Sequence, residues 1–334
     1  MWIIYASVFW GLISIVFIIT ERLSKKNLSS FNFSLDNSQS MKGLAISLVI
    51  FCHFMGTFGS GITWFTPLGG IGVSIFLFLS SYGLNESYTR GGYNKWWRKR
   101  IAVVFIPYFI VQCVCYWPFH VFDIKDFILD VSFISPQYHN GWYLNYLLMW
   151  YTIFYFVKRI TWTEKHTLIV LTVISCGLFF LLREIKAEQS FSFLAGIVLS
   201  ECKNSKKLKK ALNWKIGVSL LGYGFLFLAL KQTDIVRNAP QLVYNFIQLM
   251  IKLPCGLGMC LILISVRKMI NCKLFWSIGA ISYELYLVHG YILPLVPVSV
   301  GGELTFIGVS VGTALALHYL LKLIKKPCKR ILRI

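Results

Sequence analysis

The stretch GGIGVSIFLFLSSYG, residues 69–83, carries no charged side chain and lies within an apolar segment that extends to residue 88. A helix needs about 20 mostly apolar residues to cross a hydrocarbon core of roughly 30 Å. Applied to the whole chain, this criterion finds eleven segments: 2–20, 41–59, 69–88, 101–120, 142–157, 166–182, 189–202, 214–230, 242–265, 274–292 and 304–321. The sequence therefore predicts an all-α fold, a polytopic transmembrane helix bundle of about eleven spans.

The amino-acid composition is typical of a membrane protein. Of the 334 residues, 57% are hydrophobic and only 14% are charged, whereas soluble domains carry roughly 25% charged residues. The net charge is +20, from 33 basic and 13 acidic residues, but such a balance indicates nucleic-acid binding only in a chain that stays in water. We therefore expect no nucleic-acid partner. The nine cysteines include no CxxC pair, which predicts neither a disulfide framework nor a metal site.

The basic residues predict how the chain is oriented, because Lys and Arg collect in cytoplasmic loops. If the N-terminus is outside, the segments on the inner side hold 27 of the 33 basic residues. Five fall on the outer side: Lys125, Arg183, Lys186, Lys231 and Arg237. This distribution requires the short segment 189–202 to cross the bilayer, and it places the C-terminus inside. We expect a multi-pass protein of the inner, cytoplasmic membrane.

Ionisable side chains inside a span are costly, so each one suggests a function. His53 lies eleven residues after Lys42, close to three helical turns, so the two share one helix face. From its position alone, His53 is either a catalytic group or a hydrogen-bonding partner between helices. Lys252 and Glu284 each lie about ten residues into their spans, and we expect them to pair across neighbouring helices. His289 lies near the outer end of its predicted span.

A basic segment, KWWRKR at residues 95–100, precedes the predicted span 101–120. It is either an anchor with tryptophans at the membrane interface or a binding site for the phosphates of a cytosolic donor. Ser80, Ser81 and Tyr82 form a polar step inside an apolar span. We place this step in the cytoplasmic half of the bundle, at the level of the basic segment.

Six sequence motifs, taken in order along the chain, resemble those of the membrane acyltransferase 3 superfamily. The family begins with Arg-Gly-x-Ala and then a histidine, with ten residues between the arginine and the histidine. Here Lys42-Gly43-Leu44-Ala45 precedes His53, with lysine in place of arginine. The later motifs match at residues 72–82, 98–100 with 107–108, 142–144, 193–196 and 279–289. The resemblance divides the chain into an acyltransferase 3-like transmembrane domain, 41–334, and an extra N-terminal helix with a cytoplasmic linker, 1–40.

The resemblance implies an integral membrane enzyme that moves an acyl group, usually acetyl, from cytosolic acyl-CoA to a hydroxyl group of an envelope carbohydrate. The acceptor would be O-antigen, capsule, exopolysaccharide or a lipid-linked sugar precursor. Acetyl-CoA is then the co-substrate, and no metal is expected. On this hypothesis His53 is the general base or a covalent acyl relay, supported by Lys42 and Glu284. Donor-binding residues would be Arg98, Arg100, Arg90, Ser80 and Tyr82, and acceptor-binding residues would be Trp142, Tyr143, Tyr286 and His289.

The main alternative is a transporter or flippase of a glycan precursor, in which His53, Lys252 and Glu284 form a polar pathway. Transporters often contain pseudo-symmetric halves, and no internal repeat is found in this sequence. A polysaccharide polymerase is a third class, but the longest predicted external loop has only about 20 residues. Acyl transfer from acetyl-CoA distinguishes the enzyme from both alternatives.

Overall fold

The structure, a computed structural model, describes residues 34–59, 65–116, 123–134, 141–267 and 273–331. Within these ranges the regular secondary structure is helical, without a strand. The predicted span 2–20 and most of the predicted linker lie outside the described residues. The first described helix begins at Leu35, because Ser34 accepts a hydrogen bond from the backbone N–H of Asn37 at 3.1 Å and so caps the helix.

Sixteen α-helices occur in the described part of the chain, and we number them in chain order. Their bounds are α1 Leu35–Phe58, α2 Thr66–Gly91, α3 Trp96–Arg100, α4 Ile106–Cys115, α5 Ile124–Val131, α6 Gly141–Ile160, α7 Glu164–Leu181, α8 Glu184–Ala187, α9 Ser192–Cys202, α10 Lys206–Ala211, α11 Trp214–Lys231, α12 Asp234–Arg237, α13 Gln241–Arg267, α14 Lys273–Ala280, α15 Ser282–Ile292 and α16 Val300–Ile331. A π-helical segment, Ile101–Phe105, joins α3 to α4, and a short 3₁₀ helix, Leu293–Leu295, follows α15.

Six of the described helices are long and apolar enough to cross a membrane. They are α1, α2, α7, α11, α13 over Gln241–Ser265 and α16 over Val300–Ile324. They overlap the predicted spans 41–59, 69–88, 166–182, 214–230, 242–265 and 304–321. The prediction of an all-helical, multi-pass protein is thereby confirmed, while the count of eleven spans and the orientation of the chain stay predictions.

Three predicted spans take a different form in the structure. The segment 274–292 is divided at Ile281 into α14 and α15. The segment 189–202 contains only the eleven-residue α9, about 16 Å long at 1.5 Å per residue and so shorter than the hydrocarbon core. The segment 101–120 begins as a π-helix and continues as α4. Hydropathy detects apolar stretches but not breaks in the backbone, which explains these differences.

The π-helical segment is held against α15. Pro107, in the first turn of α4, has no backbone N–H and therefore cannot continue a regular helical hydrogen-bond ladder. The hydroxyl group of Tyr283 donates a hydrogen bond to the carbonyl oxygen of Val104 at 2.8 Å. This contact connects the basic segment, which precedes the π-helix, to the helix that carries Glu284 and His289.

Helix α2 forms the centre of the bundle. It packs against α1, α9 and α13, and its side chains Ile75, Leu77 and Phe78 are at most 3% exposed. The apolar stretch that predicts a span is thus largely covered by other helices.

Helices α1 and α14 cross in direct backbone contact. A Cβ atom on Gly43 would lie 1.8 Å from the carbonyl oxygen of Phe275, and one on Gly279 would lie 1.9 Å from that of Gln39. No other residue type fits at such a distance, so both glycines are required for this approach. The crossing holds α14 against α1, and the following helix α15 also contacts α1.

Candidate functional site

Two histidines that are 236 residues apart meet in the interior of the bundle. The Nδ1 atom of His53, on α1, lies 3.0 Å from the Nε2 atom of His289, on α15. The two rings are nearly parallel, with centroids 5.1 Å apart and an interplanar angle of 18°. His289 is fully buried and His53 is partly exposed. The sequence singled out both residues but did not predict that they are in contact.

The hydrogen-bond partners of the pair determine where its protons lie. His289 Nδ1 is 2.9 Å from the carbonyl oxygen of Leu285, one turn earlier in α15. A carbonyl oxygen only accepts, so His289 Nδ1 carries a proton, and in the neutral ring Nε2 is then an acceptor. His53 therefore donates its Nδ1–H to His289. A neutral His53 in this tautomer has its lone pair on Nε2, the atom that can take a proton from a hydroxyl group.

A small cavity lies beside His53. Its volume is about 130 Å³. The wall includes His53, Gly70, Trp142, Lys252 and Tyr286. A single buried water needs only about 10–15 Å³ on this scale, so the cavity has room for a short acyl group and a hydroxyl group.

Polar side chains connect the basic segment to the histidine pair. Arg100 is buried, with its guanidinium group 4.0 Å above the ring of Trp96, and it lies close to Tyr151. Ser80 lies close to the hydroxyl groups of both Tyr151 and Tyr143. The structure therefore brings Ser80, a predicted donor-binding residue, next to Tyr143, a predicted acceptor-binding residue, whereas Arg100 lies beside Tyr151.

Aromatic contacts lead from Tyr143 to the cavity. The ring of Tyr143 lies 5.2 Å from that of Tyr286, which in turn lies 5.9 Å from the ring of His289. Tyr286 lines the cavity, whereas Tyr143 and His289 are buried behind its wall. Of the four predicted acceptor-binding residues, only Trp142 and Tyr286 are thus in a position to meet a ligand in the cavity.

Other predicted donor-binding residues lie at the protein surface. Arg90 and Arg98 are exposed, and Tyr82 is partly buried. Lys42 is also exposed and lies eleven residues before His53 on the same helix, about 16 Å away along the axis. At this separation Lys42 cannot contact an oxygen atom beside His53.

The predicted contact between Lys252 and Glu284 is wrong. Lys252 forms a buried ion pair with Glu188, and Glu284 accepts a hydrogen bond at 2.8 Å from His318 Nδ1. Position along the sequence gives the depth of a side chain in the membrane but not its lateral neighbours, so residues at equal depth need not meet. Glu284 does not belong to the described lining of the cavity.

Sequence reasoning missed the roles of Glu188 and His318. His318 lies inside the predicted span 304–321, so the rule that singles out ionisable residues at membrane depth applies to it as well. Glu188 lies one residue before the predicted span 189–202, in the segment with Arg183 and Lys186 that we place on the outer side. No signal in the sequence distinguishes it from the exposed Glu184, four residues earlier.

A comparison with known protein families is consistent with the motifs. The model of the acyltransferase 3 superfamily, described as an acyltransferase domain, matches residues 35–321. No curated protein and no solved structure matches the chain. The match extends from the start of α1 into α16 and includes both histidines of the pair.

Proposed function

Because the chain belongs to the acyltransferase 3 superfamily and is therefore a membrane acyltransferase, we propose that it transfers an acyl group from acyl-CoA to a hydroxyl group of a cell-envelope carbohydrate. Acetyl is the acyl group that we assign, with cytosolic acetyl-CoA as co-substrate. The acceptor is O-antigen, capsule, exopolysaccharide or a lipid-linked sugar, and the enzyme acts in the inner membrane.

One observation carries this proposal: His53 lies in the wall of a cavity of acyl-group size and donates its Nδ1–H to His289. A general base needs a fixed tautomer and a lone pair directed at the proton it removes. His289, itself held by the Leu285 carbonyl, supplies the fixed tautomer. We therefore assign His289 to positioning His53 rather than to binding the sugar.

The proposed reaction is a direct transfer. His53 Nε2 removes the proton of the acceptor hydroxyl group while the hydroxyl oxygen forms a bond to the thioester carbon. The tetrahedral intermediate expels the coenzyme A thiolate, which takes the proton from His53, so the products are an acyl ester and free coenzyme A. In the covalent alternative Nε2 first attacks the thioester carbon and coenzyme A leaves as the thiolate. The hydroxyl oxygen then attacks the acyl group on the ring, the bond to Nε2 breaks, and the hydroxyl proton goes to the thiolate.

The remaining site residues are assigned to the two substrates. The donor phosphates bind Arg98, with Arg90 and Lys42 adding positive charge, because exposed basic side chains bind phosphate well. Arg100, Ser80 and Tyr82 line the approach of the donor from the basic segment. Trp142 and Tyr286 contact the sugar in the cavity, since aromatic rings combine apolar contact with hydrogen bonding.

The test uses purified protein, radiolabelled acetyl-CoA and an envelope glycan fraction. The wild-type protein is expected to release coenzyme A and to label the glycan, whereas His53→Ala does neither while still inserting into the membrane. His166→Ala is the matched control, because His166 is exposed at the start of α7 and should have no effect. Full activity of His53→Ala would remove His53 from the mechanism. Absence of transfer by the wild-type protein with any glycan would favour the flippase.

A further inference from the structure

Lys252 lies in the wall of the same cavity as His53. It is on α13 and only 5% exposed, two residues before Pro254 inside that helix. A buried ammonium group in a membrane protein costs several kcal/mol unless it is paired. Its position next to the proposed reaction site therefore calls for an explanation beyond helix packing.

Glu188 pairs with this ammonium group. Both side chains are nearly inaccessible, at 6% for Lys252 and 4% for Glu188. The carboxylate compensates the charge, but the ammonium group has three N–H donors, and Glu188 is the partner found for it in the described part of the chain. N–H donors thus remain for an acceptor atom inside the cavity.

The backbone of α2 at Gly70 leaves room for the lysine side chain. A Cβ atom on Gly70 would lie 2.4 Å from Lys252 Cε and 3.0 Å from its Nζ, so the absence of a side chain at Gly70 makes room for the lysine. The next residue after Glu188, Gln189, donates a hydrogen bond to the Gly70 carbonyl at 2.8 Å. The carboxylate and the lysine are therefore both held against α2.

We propose that the Lys252 ammonium group stabilises the negative charge on the carbonyl oxygen of the thioester during acyl transfer. This inference rests on the function proposed above. When the hydroxyl oxygen adds to the carbonyl carbon, the electron pair of the C=O double bond moves to oxygen, and it returns when coenzyme A leaves as a thiolate. A fixed positive charge stabilises this oxygen more in the transition state than in the substrate.

The size of the cavity supports this role. His53 and Lys252 line one cavity of about 130 Å³, so an acyl group that reaches His53 through this cavity also lies near the Lys252 side chain. Lys42, about 16 Å from His53 along α1, cannot serve in this way. Lys252 is thus the basic side chain of the cavity wall that can reach the carbonyl oxygen.

The first test compares Lys252→Met with the double variant Lys252→Met/Glu188→Gln. The single variant leaves a buried carboxylate without its partner and is expected to lower Tm. The double variant removes both charges, and such neutral replacements of buried pairs are often well tolerated, so Tm should recover. We expect kcat to stay about 10² to 10³-fold below wild type in the double variant, with little change in KM for acetyl-CoA. Recovery of kcat together with Tm would overturn the proposal, because a purely structural ion pair predicts that result.

A second test keeps both charges, in case the double variant does not fold. Gly70→Ala displaces the end of Lys252 by contact with the new methyl group, and we expect a lower kcat with a smaller decrease in Tm than in Lys252→Met, because both charges remain. Gly83→Ala is the matched control on the same helix, because its Cβ would meet no atom within 4 Å. Equal kcat values for the two alanine variants contradict the proposal. Failure of wild-type transfer, or full activity of His53→Ala, would instead contradict the function on which it rests.

Discussion

Replacing His289 by leucine tests whether the histidine pair acts as a unit. The variant keeps an apolar side chain of similar size in the core but removes the acceptor of the His53 Nδ1–H. During proton abstraction His53 becomes positively charged, and a hydrogen bond from a charged group contributes about 1.5–3 kcal/mol. At 1.36 kcal/mol per tenfold change, this corresponds to a decrease in kcat of about 10- to 150-fold.

The effect should appear in kcat and not in KM for acetyl-CoA, because the hydrogen bond is strongest in the transition state. His289→Gln places an amide oxygen near the position of Nε2 and should recover part of the activity. Tyr291→Phe is the matched control: it removes a buried hydrogen bond from the same helix, to Gln112, without touching His53.

The assay is steady-state release of coenzyme A by purified variants, with Tm measured in parallel. If His289→Leu keeps wild-type kcat at normal Tm, His53 does not depend on His289 and the tautomer argument is wrong. If Tyr291→Phe lowers kcat as much as His289→Leu does, the effect reflects loosening of α15 and not loss of the pair.

Two further variants test the fold and the donor site. Gly43→Ala brings a methyl group against the Phe275 carbonyl. It should destabilise the protein by about 1–3 kcal/mol and so lower Tm. Gly56→Ala, on the same helix, is the control, because its new methyl group meets no atom within 4 Å and Tm should not fall. Arg98→Ala should raise KM for acetyl-CoA and leave Tm unchanged; a defect in membrane insertion alone would identify Arg98 as an interfacial anchor.

The helical membrane fold could be predicted because hydropathy follows directly from the composition of each segment. His53 could be singled out for the same reason, since an ionisable residue in an apolar stretch is recognised from the sequence alone. The order of the motifs along the chain indicated the family, and the match to the family model supports that assignment. These conclusions need only local sequence.

The lateral arrangement of the helices could not be predicted. Lys252 pairs with Glu188 and not with Glu284, although the latter lies at a similar predicted depth. The contact between His53 and His289 depends on the crossing of α1 with α14 and α15. No periodicity in a single segment encodes which helix lies beside another, so these contacts require the structure.

The ion pair between Lys252 and Glu188 also has a consequence for the assembly of the protein in the membrane. The two residues are 64 positions apart, and synthesis proceeds at about 5–20 residues per second. Glu188 is therefore made about 3 to 13 s before its partner. During that interval the short helix α8, which precedes Glu188, has neither the ion pair nor its contact with α13. We expect this part of the chain to reach its final depth only after α13 has been inserted, so that the cavity is completed late in biogenesis.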